Sequence, residues 1–265
     1  MWKRIPDWLI YFLIVGFVYL NAVMQSETID APIPPAEVGE LLPSQSPSDP
    51  SILVNIDKPS SGAGTAFAIN KEGQWLTARH VVDGCHDIGL KLGNRRILRA
   101  QSQLSKNSDV ALLTADWKRS PLTPDFDSQR RPGEYGYFFG FPQGKPGEVI
   151  GKLLGRRRLK VRGRYRTDEP ILAWTEIGRT RGLRGSLGGL SGGPVLDSDG
   201  EVIGIVAAES PRRGRVYSVA PRNLSQYARR TDYATATPIA NASYGLQADR
   251  YRRDRRIVQV LCYVK

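Results

Sequence analysis

The stretch "GGLSGGPV" (188–195) sets one hydroxyl between two glycine pairs and closes with proline and valine. Two readings fit it. One is a glycine-rich hairpin turn carrying an incidental serine. The other is a nucleophile loop, in which the N–H groups of Gly189 and Ser191 face a reacting carbonyl. The residue two before the serine must then adopt a backbone setting that few side chains tolerate, which is where glycine belongs. Gly192 and Gly193 would leave room for a substrate backbone and a facing strand, and Pro194 and Val195 return the chain to a strand. The rest of the chain has to choose between the two.

A serine that hydrolyses an amide needs an imidazole to take its proton and a carboxylate to fix the imidazole's tautomer. The chain has only two histidines, so any imidazole chemistry uses one of them. His80 lies in "WLTARHVV" (75–82), at the end of a β-favouring run where small Thr77 and Ala78 let a ring sit against a strand wall. His86, in "GCHD" (84–87), follows a turn-like Asp-Gly and reads as a solvent-exposed loop residue. Asp109 opens "DVALLTA" (109–115). It is either an Asx-type strand start or the orienting carboxylate.

The 265 residues are 40% hydrophobic, enough for one sizeable core or two small ones. A net charge of +12 requires an anionic partner to be considered. Cys85 and Cys262 are the only cysteines, which excludes a disulfide framework and a cysteine metal site. No metal-ligand spacing, P-loop or dinucleotide fingerprint is present, so neither metal nor cofactor is expected.

"WLIYFLIVGFVYLNAVM" (8–24) runs 17 positions without a charge, after Lys3 and Arg4 and before Glu27 and Asp30. At 1.5 Å per residue this is about 25 Å of helix, the short end of a bilayer span. The charge asymmetry puts the N-terminus in the cytoplasm and the bulk of the chain, periplasmic or otherwise extracytoplasmic, beyond the membrane. A cleaved signal peptide is the alternative, although "YLNAVMQS" (19–26) has no A-x-A site. Residues 1–24 are thus read as a cytoplasmic tip and membrane anchor, and proline-rich 25–50 as a tether. From Ser51 short β-favouring runs alternate with Gly, Pro and Asp turns, which predicts an all-β barrel or sandwich. A helix is expected at "RNLSQYARR" (222–230), a loop over 231–249, and a last strand at "RIVQVLCYV" (256–264).

In this order, "TARHVV", "DVALL" and "GLSGGPV" resemble the trypsin-like serine proteases of the chymotrypsin fold. With "SGAGTAFAI" (61–69) and "GEYGYFFGFPQG" (133–144), the chain is most similar to the bacterial HtrA (Deg) branch, over residues 51–230. The resemblance implies an all-β domain of two six-stranded antiparallel β-barrels, dividing near 118–132, with a C-terminal helix and then an extension over 231–265. It also implies endopeptidase activity on a protein or peptide substrate, with no cofactor. His80 would be the general base, Asp109 the orienting carboxylate and Ser191 the nucleophile, with Gly189 and Ser191 as oxyanion donors.

Several positions depart from the pattern. Leu190 replaces the aspartate that receives a freed N-terminal amine in digestive relatives. Ala207 stands where many relatives keep a serine bonded to the catalytic aspartate. The 35 residues from 231 onward are too few for the PDZ domain usual in HtrA proteins. In this fold the pocket before the scissile bond would be lined by Gly185, Ser186, Ala207, Arg215 and Tyr217. Arg215 either faces that pocket and selects acidic residues, or points to water and leaves a small apolar pocket for Val or Ala. Cys85 and Cys262 either pair, pinning the last strand beside the His80 segment, or remain separate buried thiols. "KLLGRRRLKVRGRYR" (152–166) holds eight basic residues. It is either a solvated hairpin or a patch for an anionic surface, and a location across a membrane argues against nucleic acid. A binding or regulatory protein that keeps the fold without turnover is the rival to an enzyme.

Overall fold

The computed structural model describes residues 8, 11–17, 37–93, 96–227, 233 and 235–265. Among the described residues, fourteen strands fall into two sheets. The first contains β2 (Gly62–Ala68), β3 (Gln74–Thr77), β4 (Asp87–Lys91), β5 (Ile97–Arg99), β6 (Gln101–Leu104), β7 (Ala111–Thr114) and β14 (Ile257–Tyr263). Their order is β5-β4-β14-β2-β3-β7-β6. The second holds β1 (Ser51–Ile56), β8 (Tyr135–Gly140), β9 (Gly147–Gly163), β10 (Thr167–Arg179), β11 (Pro194–Leu196), β12 (Val202–Ser210) and β13 (Arg215–Val219). Its order is β1-β9-β10-β13-β12-β11-β8, and a further β8–β9 pairing closes the last six into a barrel.

The expectation of a predominantly β protein therefore holds, but a plain pair of six-stranded antiparallel barrels does not describe it. Strand β1 runs parallel to β9, from Ser51 beside Arg158 to Ile56 beside Gly163, and adds a seventh strand to the second sheet. Its alternation of exposed and half-buried residues suits an edge strand with one covered face. In the first sheet the seventh strand is β14, paired on one side with β2 and on the other with β4. Ile257, Val258 and Val260 are buried there. The C-terminal segment thus lies inside the N-terminal sheet and completes its core.

Each sheet encloses its own apolar cluster. Trp75, Leu90, Leu113, Val258 and Val260 fill the first. Phe138, Leu153, Trp174, Leu190 and Ile203 fill the second. Trp174 Nε1–H donates to Ser218 Oγ at 2.9 Å, so the indole is buried without leaving its donor unmatched. Its ring leaves no room at Gly136, where a Cβ would lie 2.7 Å from Trp174.

Three local expectations need correction. The described part of the tether is docked on the second barrel rather than free. Gly39 N–H donates to Pro132 O at 2.7 Å, Leu42 N–H to Arg130 O at 2.9 Å, and the Leu42 side chain enters the core beside Phe138 and Trp174. The expected helix at 222–230 is replaced, over its described part, by two short 3-10 turns, Pro221–Asn223 and Ser225–Tyr227. Tertiary contacts override helix propensity there: Leu224 is fully buried and Asn223 Nδ2 donates to Glu169 Oε2 at 3.0 Å. The C-terminal helix instead spans Tyr244–Arg253, partly within the stretch read as loop. It buries only Ala248 and Tyr251, too few apolar positions to mark a stripe in the sequence.

The anchor expected over 8–24 lies mostly outside the described residues. Trp8 and 11–17 are helical, and among the described residues no helix is long and apolar enough to cross a membrane.

Candidate active site

Between β3 and β4 the chain makes a single helical turn, α1 (Arg79–Val82). It follows Ala78, whose backbone is extended, and it carries His80 out of the first sheet. Asp109, just ahead of β7, is 1% exposed and grips this turn from two sides. His80 N–H donates to Asp109 Oδ1 at 2.9 Å, and His80 Nδ1 lies 2.7 Å from Asp109 Oδ2. A carboxylate at Nδ1 selects the tautomer with its proton there, leaving the Nε2 lone pair as the base. Burial alone would lower the His80 pKa. The Asp109 charge and hydrogen bond outweigh it and hold the ring above its usual value.

Ser191 lies on a loop of the second barrel and shares one cavity wall with His80 and Asp109. The cavity encloses about 420 Å³, and Ala207, Glu209 and Cys262 line it too. Ser191 Oγ makes no hydrogen bond among the described residues. Gly189 has φ +96°, and a Cβ there would meet Phe141 O at 2.5 Å, so a side chain is excluded twice over. Neither the Gly189 N–H nor the Ser191 N–H donates to an acceptor among the described residues. Both are available to an anion.

Thr65 of β2 braces this loop from the opposite sheet. Its N–H donates to Ser191 O at 2.8 Å, its hydroxyl donates to Gly189 O at 2.8 Å, and that hydroxyl accepts from Phe141 N–H at 3.1 Å. Leu190 is fully buried in the second core, so packing holds the loop where an aspartate would have used an ion pair.

Behind Asp109 lies a second carboxylate. Glu169 of β10 accepts from Asp109 N–H at 2.6 Å and from Ser108 Oγ–H at 2.5 Å, in addition to Asn223. Burial, opposed by these hydrogen bonds and aided by the Asp109 charge, raises its pKa to about 7. Such a carboxyl binds its proton more tightly folded than unfolded. Its contribution to stability is therefore greatest below the ordinary carboxylate range and is lost as pH rises through about 7. Glu169→Gln, which imitates the protonated form, should flatten that fall. Denaturant titrations from pH 5 to 8 are expected to show the parent losing on the order of 3 kcal/mol relative to the variant. Parallel curves would show that Glu169 is ionised throughout.

The remaining expected site residues are dispersed. His86 is an exposed partner of Asp87 at 2.9 Å. Ala207 lines the cavity shared by His80, Asp109 and Ser191, and Gly185, Ser186, Arg215 and Tyr217 lie outside its lining. Arg215 pairs with Thr175 and Ser210 in the sheet, and Tyr217 is buried beside Ala208. The charged group facing the cavity from β12 is the carboxylate of Glu209, which accepts from Ser186 Oγ–H and, at 2.8 Å, from Leu187 N–H. Cys85 and Cys262 form a disulfide that ties the end of the α1 region to β14.

The basic run 152–166 is no loose patch, because it forms most of β9 and the turn into β10. Arg158 pairs with Asp168 at 2.7 Å, Arg164 with Asp83 at 3.2 Å, and Arg156 donates to Pro43 O at 2.8 Å. Asp125, Asp197 and Glu201 cluster closely enough to hold a cation, but the Arg130 guanidinium already binds Asp125 and Asp197.

The Asp109-bonded His80, Ser191 on its glycine loop and two backbone N–H groups without an acceptor among the described residues thus come together on a β fold. The family model described as "Trypsin-like peptidase domain" matches residues 64–205, and the chain belongs to that family. It is 30% identical over 165 residues to "Putative serine protease HhoB" of Synechocystis sp., covering 58% of this chain and 36% of that protein. It is 28% identical over 158 residues to "Probable periplasmic serine endoprotease DegP-like" of Marinomonas sp., covering 58% and 31%. The chain thus spans about a third of the length of these relatives. The active form of the Rv3671c protease from M. tuberculosis has the same fold, with a TM-score of 0.51 at 16% identity, over 77% of this chain and 98% of that one.

Proposed function

We propose that this chain is a serine endopeptidase, with Ser191 as nucleophile, His80 as general base and Asp109 as its orienting carboxylate. One observation carries the reading: the Asp109-bonded His80 and Ser191 line a single cavity next to two unpaired backbone N–H groups. In the reaction Ser191 Oγ bonds to the scissile carbonyl carbon while its proton passes to His80 Nε2. The oxyanion is held by the N–H groups of Gly189 and Ser191. The imidazolium then protonates the departing amine, and a water activated by the same ring releases the acyl group. The short His80–Ser191 hydrogen bond forms on substrate binding, since catalytic contacts are often loose in free enzymes.

A fold-retaining regulatory protein is the competing reading. The complete set of His80, Asp109, Ser191 and both oxyanion donors favours the enzyme. Hydrolysis of an unfolded protein such as casein, unchanged by EDTA and stopped by a serine-directed sulfonyl fluoride, is the expected result. Loss of hydrolysis in EDTA would point to a metal and against this mechanism.

The same proposal places the peptidase domain beyond a membrane, anchored by residues 8–24, with the tether from 25 leading to the domain. The uncharged run, the disulfide and the periplasmic description of DegP-like relatives support it.

A further inference from the structure

The carboxylate that orients His80 is almost completely buried, and a buried carboxylate is stable as an anion only when donors surround it. Two of the donors to Asp109 come from His80 itself. The third comes from the other sheet: Tyr165, at the tip of the β9–β10 hairpin, donates its hydroxyl to Asp109 Oδ1 at 3.0 Å. Strand β12 brings Ala207, Ala208 and Glu209 to this cavity, and none of the three offers a hydroxyl to Asp109.

The tyrosine is held firmly. The residue is 8% exposed, and the Arg79 guanidinium lies 3.8 Å from the ring centroid. Arg79 is itself fixed by Asp83 at 3.0 Å and by Ser105 O at 2.8 Å. Arg164, one residue before Tyr165, pairs with the same Asp83 and locks the hairpin tip against α1. Burial, then the Asp109 charge, raises the phenol's pKa, so the hydroxyl remains a donor across the working pH range. The charged and titratable groups around it are Asp109, Arg79 and Asp83, with His80 and Glu169 on the far sides of Asp109.

We propose that Tyr165 is the positioning residue of this site: its hydroxyl orients Asp109 and shares its charge, in place of a hydroxyl from the strand after the nucleophile. The inference rests on the peptidase reading for its consequence in turnover, but its electrostatic core can be measured without turnover.

The test is Tyr165→Phe, which keeps the ring under Arg79 and removes only the hydroxyl. Without that donor the Asp109 carboxylate is more basic and stabilises the imidazolium more strongly, so the His80 pKa must rise. Titration of the two histidine rings by NMR is expected to move His80 up by roughly half a unit to one unit. His86, paired with Asp87 at the surface, should stay fixed and serves as internal reference. In turnover, the acid limb of kcat/KM should move up with His80. At neutral pH kcat should fall by roughly 10- to 100-fold, the range for losing a charge-assisted hydrogen bond, with KM little changed. Adding Ala207→Ser to Tyr165→Phe, which puts a hydroxyl back beside Asp109 from β12, should recover part of the loss. An unmoved His80 titration overturns the proposal even if the variant is less active or less stable. A parent protein that hydrolyses no peptide, with His80 still shifted by Tyr165→Phe, overturns the peptidase reading and leaves this assignment standing.

Discussion

Ser191→Ala is expected to lower kcat on a peptide substrate by at least about 10⁴-fold, the scale seen when a member of a nucleophile–base unit is removed. The fold should not change. The Ser191 side chain makes no hydrogen bond among the described residues, and its backbone carbonyl would still accept from Thr65 N–H. His80→Ala should match the serine variant rather than add to it, because the two act as one unit. His86→Ala should leave kcat within twofold, since His86 is an exposed partner of Asp87 alone. Steady-state kinetics on a fluorogenic peptide, with circular dichroism as the check on folding, decides the point. A dead His86 variant beside an active His80 variant would transfer the base to the wrong histidine and refute the assignment.

The second large effect concerns stability. The Cys85–Cys262 disulfide joins positions 177 residues apart in sequence. Cross-linking so long a loop removes chain entropy from the unfolded state equivalent to about 5 kcal/mol, before any strain is subtracted. The link also fastens β14, which sits between β2 and β4 and carries part of the first core. Replacing both cysteines with alanine is expected to reduce the unfolding free energy by about 3–5 kcal/mol in urea titrations under non-reducing conditions. Protection of β14 amides from hydrogen exchange should fall with it. An unchanged midpoint would mean that packing alone seats the C-terminal strand.

The legible part of this protein was what a short string of residues can encode. "GGLSGGPV", "TARHVV" and "DVALL" each hold a side chain and the backbone that presents it, so three candidate residues that line one cavity could be named from sequence. Strand runs were legible for the same reason, as in "DVALLTA", whose buried and part-buried residues alternate from Ala111 to Leu113. What could not be read depends on which strand lies beside which. Nothing in "RIVQVLCYV" says that it enters the sheet between β2 and β4. Tyr165 sits inside a basic run that reads as a charged hairpin, and only the fold brings its hydroxyl to Asp109. Glu169 follows Asp168 in the polar first residues of β10, with no partner visible in sequence. Where Arg215 lies relative to a bound peptide also depends on strand placement: on β13 it pairs with Thr175 and Ser210, while Glu209 of β12 lines the cavity with Ser191.

The proposed mechanism requires that Ser191 be a nucleophile activated by His80. The most direct measurement is mass spectrometry of the full chain after treatment with a fluorophosphonate, followed by peptide mapping of the adduct. The prediction is one phosphonyl group per chain, carried on Ser191, and none on the His80→Ala protein. An unmodified Ser191 in the folded parent protein, or equal labelling with and without His80, would contradict it.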